Sequence, residues 1–203
     1  MTNDNESISG YFDRCAEEGA MRSFSAQESA KVELLKNLWG LKEGDRVVEA
    51  GCGSGRLTEH IAKAVGCTGR VMAFDISGVM IQKARERRLP AHVSLHVADA
   101  ASIPASNECF DIAICFHVFP HFANPRQALK ELSRVLIPGG KLWINHLACR
   151  KAINDFHGKA APAVQNHRLP DDPTMHTLLG EAGFRVVYLN DAPDGYSLSA
   201  IRL

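Results

Sequence analysis

The stretch Val47-Val48-Glu49-Ala50-Gly51-Cys52-Gly53-Ser54-Gly55 carries two β-branched residues into three glycines spaced by one residue each. A segment with Leu57, Ile61, Ala64 and Val65 at helical spacing follows directly. Strand, glycine turn and helix in that order bend the backbone sharply and let a ligand approach the helix start. The unit therefore constrains both topology and chemistry.

The alternation continues. GRVMAFD (69–75) reads as strand, SGVMIQKARERR as helix, HVSLHVAD (92–99) as strand and FDIAICF (110–116) as a wholly apolar strand. Asn124 and Pro125 open the next helix, which Pro138-Gly139-Gly140 is expected to end before the strand KLWINH (141–146). Asp172-Pro173 is expected to cap a further helix closed by Gly183, and FRVVYLN and YSLSAIRL form a final antiparallel pair. Such alternation predicts an α/β fold with a mostly parallel sheet and helices on both faces.

At 203 residues, with 45% hydrophobic and 23% charged residues, the chain has the composition of one domain spanning 1–203. Two N-terminal helical pieces (1–40) carrying Tyr11, Phe12 and Phe24 are read either as a lid or as amphipathic helices packed on the domain, and the irregular segment 147–171 is expected as a cover. Lysine plus arginine equals aspartate plus glutamate, 23 each, so no net field draws the chain to nucleic acid or an anionic membrane. The polar, acidic start MTNDNESISG is unlike a signal peptide, and no apolar run nears the ~20 residues of a membrane span, so the expectation is cytoplasmic. The six cysteines show no CxxC pair and are expected to be reduced, with Cys67, Cys109 and Cys115 buried. A monomer and a homodimer are equally compatible with the sequence.

Arg56-Leu57 stands where a Walker loop needs lysine and then serine or threonine, and Arg56 stands where a dinucleotide fingerprint needs its third glycine. Glu49 is more informative. A carboxylate at the end of the first strand opposes a pyrophosphate and suits a ligand with an ammonium group. Asp75, at the end of the second strand, is placed to accept from both hydroxyls of a ribose, and Asp99, at the end of the third, from an adenine amine.

Three glycines and three acids in this order describe an adenosine compound with an amino-acid tail. With VVEAGCGSG, AFDIS (73–77), VADAASIP (97–104), FDIAICFHVFPHF and RVLIPGGKLWI (134–144), the chain resembles the class I S-adenosylmethionine-dependent methyltransferases over nearly its whole length. The resemblance implies a seven-stranded Rossmann-like sheet in order 3-2-1-4-5-7-6, with the last strand antiparallel. It implies S-adenosylmethionine as cofactor, S-adenosylhomocysteine as product and a small-molecule acceptor. It assigns cofactor contacts to Glu49, Gly51, Cys52, Gly53, Gly55, Asp75, Ile76, Asp99, Ala100 and Phe116. The motifs are similar to those of quinone-biosynthesis and arsenite methyltransferase-like enzymes. This chain departs from both: its acceptor side is rich in histidine, and only Cys149, with Cys15, lies near the expected place for an arsenite-binding cysteine set.

His117 and His146 end strands four and five, which would be neighbours; His121 follows His117 by four residues, and His157 lies in the segment after strand five, which is expected to fold back over the same pocket. Three readings stand for them: acceptor binding or general base catalysis at His117 and His146, a transition-metal site of His117, His121, His146 and His157, or structural hydrogen bonding. A metal-binding protein on this fold and a metal-assisted methyltransferase are the corresponding alternatives. Asn154 and Phe156 either line the acceptor side or bury one face of a cover helix, His60, His92 and His176 have no assigned role, and His96 and His167 stay undecided.

Overall fold

The computed structural model describes residues 7–19 and 21–203. The reading of the polar start as no signal peptide rests on residues 1–6 in large part, outside the described residues. Strands β1 (Arg46–Ala50), β2 (Arg70–Asp75), β3 (Val93–Val97), β4 (Phe110–Phe116), β5 (Leu136–His146), β6 (Phe184–Ala192) and β7 (Gly195–Arg202) form one sheet in the order 3-2-1-4-5-7-6. β1 to β5 run parallel, and β7 is antiparallel to both of its neighbours, as expected from the resemblance.

The sheet is buried on both faces, which is why its central strands are continuously apolar. Successive side chains go to opposite faces: Val47, Ile112, Ile114 and Phe116 join one cluster, and Val48, Ala113 and Cys115 the other. The first face is covered by α2 (Ala26–Trp39) and α3 (Arg56–Val65) through Val32, Trp39, Leu57, Ile61 and Val65. The second is covered by α5 (Pro125–Val135) and α7 (Asp172–Glu181) through Leu129, Leu132, Met175 and Leu179. Trp39 Nε1 donates to Asn145 Oδ1 at 2.8 Å, so the end of α2 is pinned to β5 by a buried polar contact as well as by packing.

α1 (Ile8–Glu17) is capped by Ser7 and docks on α4 (Gly78–Arg85): Ser9 Oγ donates to the Ile76 carbonyl at 3.2 Å, and Ser77 Oγ donates to Asp13 Oδ1 at 2.5 Å. α6 (Arg150–His157) lies within the segment 147–171.

Three local expectations are corrected. Helix α5 ends at Val135, and Pro138-Gly139-Gly140 lies inside β5, where the pairing with β4 slips between Phe110 and Ile112. The turn residues mark a bulge in a long strand instead of a helix stop. The cap of α7 is Asp171, whose side chain accepts from Thr174 N at 2.9 Å, one residue earlier than expected. Cys115 is buried, but Cys109 is half-buried and Cys67 exposed, because Cys67 lies in the turn after α3 and not in its apolar face. Among the described residues, no helix is long and apolar enough to cross a membrane.

Candidate active site

The carboxyl ends of β1, β2, β4 and the loop after β3 line an open cavity of about 100 Å³. The glycine turn forms its floor. Gly51 N and Cys52 N both donate to the Phe74 carbonyl, at 2.8 and 3.0 Å, which folds the turn back onto β2. Gly51 has φ of 69°, and a Cβ there would lie 2.2 Å from Val118 Cγ2, so neither the dihedral nor the space admits a side chain. Gly55 is the left-handed start of α3, and a Cβ on it would crowd Ala84 at 3.1 Å. It therefore lets α3 and α4 approach, and it is the one glycine of the three that does not line the cavity.

Glu49 is 1% exposed, and Thr58 Oγ1 donates to its Oε2 at 2.6 Å. Burial pushes its carboxyl up to about 8, against the Thr58 hydrogen bond, and the Asp75 charge adds to the rise. The raised value favours the protonated carboxyl near neutral pH, and a cation beside it would favour the charged form. Asp75 accepts from Gly53 N at 2.8 Å and from Ser77 N at 2.9 Å, one bond to each oxygen. Each oxygen keeps a further lone pair for a ligand hydroxyl. Burial raises its carboxyl too, while these backbone bonds pull it down. Asp99 is exposed and accepts from Ala101 N at 2.8 Å, and Ile76, Ala98 and Ala100 complete this side. The buried carboxyl, the left-handed turn and the acids at successive strand ends fit a ligand with an ammonium group at one end and a ribose at the other.

Towards β4 the lining changes to Phe12, Arg56, Phe116, His117, Val118, His121 and Phe122. His117 follows β4 in a left-handed conformation (φ 58°), its backbone N donating to the Asn145 carbonyl at 2.9 Å. His121 ends a short 3-10 helix (Phe119–His121), the turn that Pro120 permits where an α-helix would break. Of the expected lid aromatics only Phe12 faces the cavity, packing edge-on to His121. Phe24 lies against Phe116 and His60 beneath the Arg56 guanidinium, and Tyr11 packs on Phe12. Arg56, which the sequence marked only as a non-glycine, lines the cavity from the first turn of α3.

His146 and His157 do not line the cavity. His146 lies behind His117, ring centroids 5.1 Å apart, and His157 lies behind His121 at 4.8 Å. His167 joins them, its Nδ1 2.8 Å from His121 Nδ1. Burial holds His117 down to about 4 and His121 to about 3, and lowers His146 far below the usual imidazole range. The expected metal set of His117, His121, His146 and His157 is not assembled: among the described residues, no group of three His, Cys, Asp or Glu side chains is arranged to hold a metal ion. The rings instead pack edge-on to one another, His117 on His146 and His121 on His157, and do not turn their nitrogens to a common point. Asn154 closes the α6 segment by two hydrogen bonds to the Leu169 backbone, and Phe156 is exposed, so neither lines the acceptor side.

Residues 48–144 match the model of a methyltransferase domain family. The chain is 38% identical over 177 residues to the ubiquinone/menaquinone biosynthesis C-methyltransferase UbiE of Chromobacterium violaceum, covering 74% of this chain and 72% of that protein. It is 35% identical over 134 residues to an uncharacterized 37.1 kDa protein in transposon TN4556 of Streptomyces fradiae, covering 65% of this chain but 36% of that protein. In structure it is similar to a SAM-dependent methyltransferase from Aquifex aeolicus, with a TM-score of 0.71 at 24% identity over 85% of this chain and 89% of that one, a likeness of fold.

Proposed function

This chain belongs to the class I S-adenosylmethionine-dependent methyltransferases, and from that premise we propose that it moves a methyl group from S-adenosylmethionine to a small-molecule acceptor. The single observation that carries the reading is Glu49, a carboxyl buried on the floor of an open cavity with Thr58 as its hydrogen-bond partner. A protein does not bury such a group without a use for it, and the use that fits is an ammonium ion. Glu49 and the turn at Gly51, Cys52 and Gly53 would hold the amino-acid end of the cofactor, Asp75 the ribose, and Asp99 with the Ala100 backbone the adenine, whose face would rest on Ile76. Phe116 would close the apolar wall beside the sulfur. The cofactor, when bound, supplies an electrophilic methyl group on a sulfonium. The chain's own tasks are to orient the acceptor and exclude water, for which Phe12, Phe122 and the imidazoles of His117 and His121 are the available groups.

Titration calorimetry with S-adenosylhomocysteine is the test. Saturable binding in the micromolar range is expected, and no heat at high micromolar concentration would refute the cofactor assignment. The acceptor class is a separate matter, since a shared fold does not fix it.

A further inference from the structure

Hydrogen-bond partners fix the proton positions on the histidines around this site. A backbone N–H can only donate and a carbonyl can only accept. Leu147 N–H donates to His117 Nε2 at 3.2 Å, so that nitrogen carries a lone pair and the proton of the neutral ring sits on Nδ1. His117, the residue that the sequence proposes as a base, therefore has its basic nitrogen occupied and its donor nitrogen left over. His157 is opposite: its Nδ1 must donate to the His167 carbonyl at 3.0 Å. Between His121 Nδ1 and His167 Nδ1, 2.8 Å apart, two neutral rings share one proton. His121 lines the cavity, whereas His167, in the segment between α6 and α7, is half-exposed. The pair spans from the cavity to solvent.

We propose that His121 takes the proton of the acceptor, that His167 passes it to solvent, and that His117 presents its N–H to the same acceptor. The inference rests on the methyl-transfer reading and narrows its substrate to a neutral X–H nucleophile, a hydroxyl or a thiol, which has both a proton to lose and a lone pair to be held. The X–H proton moves to His121 Nε2, and the bonding pair stays on X as the nucleophile. The proton on His121 Nδ1 moves to His167 Nδ1, and the one on His167 Nε2 leaves to water. Exchange with water in the emptied cavity reverses the shift between the rings after product leaves. No oxidant, reductant or metal enters. The neighbours favour transit over storage: His157 and His167 face His121, burial and then the charges of His157, His167 and His117 hold it down to about 3, and Arg168 bears on His157 and His167 while Arg56 and Lys31 bear on His117 against Glu28, so His121 does not retain a second proton. His167 acts only through His121 and is a positioning and relay residue. His146, behind His117, orients that ring by edge-on packing.

The test is nitrogen-15 NMR on protein labelled in its histidine rings, free and with S-adenosylhomocysteine, with single His→Gln variants for assignment. The expected result is the Nδ1–H tautomer for His117 and a through-hydrogen-bond nitrogen–nitrogen coupling between His121 and His167. In both His167→Phe and His167→Gln, exchange of the His121 ring proton with water should slow at least about tenfold, as loss of a transfer route requires. A purely structural His167 would give the reverse, because its loss would open the cluster and speed exchange. An Nε2–H tautomer at His117, absence of the coupling, or unchanged or faster exchange in both variants would each overturn the proposal. Failure of the homocysteine compound to bind would instead refute the cofactor reading, and the tautomers of the free protein would still decide this one.

Discussion

The two ends of the cavity are built from opposite kinds of ionisable group, and burial drives both to the same state. At the floor the chain buries a carboxyl, Glu49, and pushes it up to about 8; at the β4 end it buries imidazoles and holds His117 down to about 4. In both, burial favours the neutral form near pH 7. The difference lies in what a ligand does to them. On the proposed function a cation arriving beside Glu49 would recharge it, so the floor would act as a charge-matched clamp. The imidazoles have no such partner and stay neutral donors and acceptors, suited to handling a proton and not to holding an ion. If the ends differ in this way, changes at the floor should show in cofactor affinity and changes behind the imidazoles should not.

The largest effect is expected from Gly51→Ala. The left-handed dihedral costs ~1–2 kcal/mol and overpacking against Val118 ~1–3 kcal/mol, so a total loss of about 2–5 kcal/mol of stability should appear in chemical denaturation. Asp75→Ala comes next: removing an acceptor of ribose hydroxyls should weaken S-adenosylhomocysteine by ~1.5–3 kcal/mol, roughly 10- to 150-fold, by calorimetry on protein shown to be folded. An unchanged affinity would mean that the carboxylate serves only the turn.

The Glu49 clamp predicts a pH signature. Its pKa is raised on folding, so its contribution to stability is full below about 4.3, the unfolded value, and is lost as pH rises through about 8. The imidazoles have the other sign: their pKa values are lowered on folding, so their contribution is full above about 6.5 and is lost as pH falls towards 4. Free protein should therefore be most stable between about pH 6 and 7, with the alkaline limb flattened in Glu49→Gln. Affinity for S-adenosylhomocysteine should climb between pH 6 and 8, by at most about tenfold per unit, because binding the ammonium requires Glu49 to lose its proton. Calorimetry across that range checks it; a flat profile would show Glu49 ionised already.

The sequence made the Glu49 end of the cavity legible and left the histidine end open, for a physical reason. Glu49, Asp75 and Asp99 lie at or just beyond the carboxyl ends of β1, β2 and β3, and strand ends in a parallel sheet converge by topology, so chain order alone brings them together. Gly55 was misplaced because a glycine after a strand can serve a ligand or a helix contact, and only the 3.1 Å approach of Ala84 decides between them. The histidines reach their positions through a 3-10 turn, α6 and the segment after it, whose paths no periodicity encodes. His146 shares a strand end with His117's neighbour yet points behind it, and His167, assigned nothing from the sequence, lies 2.8 Å from His121. The Pro-Gly-Gly of β5 belongs to the same class, since a bulge and a helix stop use the same residues.

The smallest effect is expected where sequence reasoning placed a catalytic group. His146 is 3% exposed, its Nε2 is buried with no hydrogen-bond partner among the described residues, and its ring packs edge-on to His117 and Tyr196. An unpaired buried nitrogen costs ~1–3 kcal/mol, and phenylalanine keeps a ring of similar shape without that nitrogen. His146→Phe should thus leave the melting temperature unchanged or raise it by ~2–4 °C, as a gain of about 1 kcal/mol does in a chain of this size. Affinity for S-adenosylhomocysteine should stay within about twofold, because the ring has no face on the cavity. A melting temperature lowered by more than about 4 °C would show that Nε2 has a partner in solution, such as a buried water, and that this end of the cavity stores a polar network behind its lining. Affinity lost without stability would place His146 in the cofactor clamp and dissolve the division between the two ends.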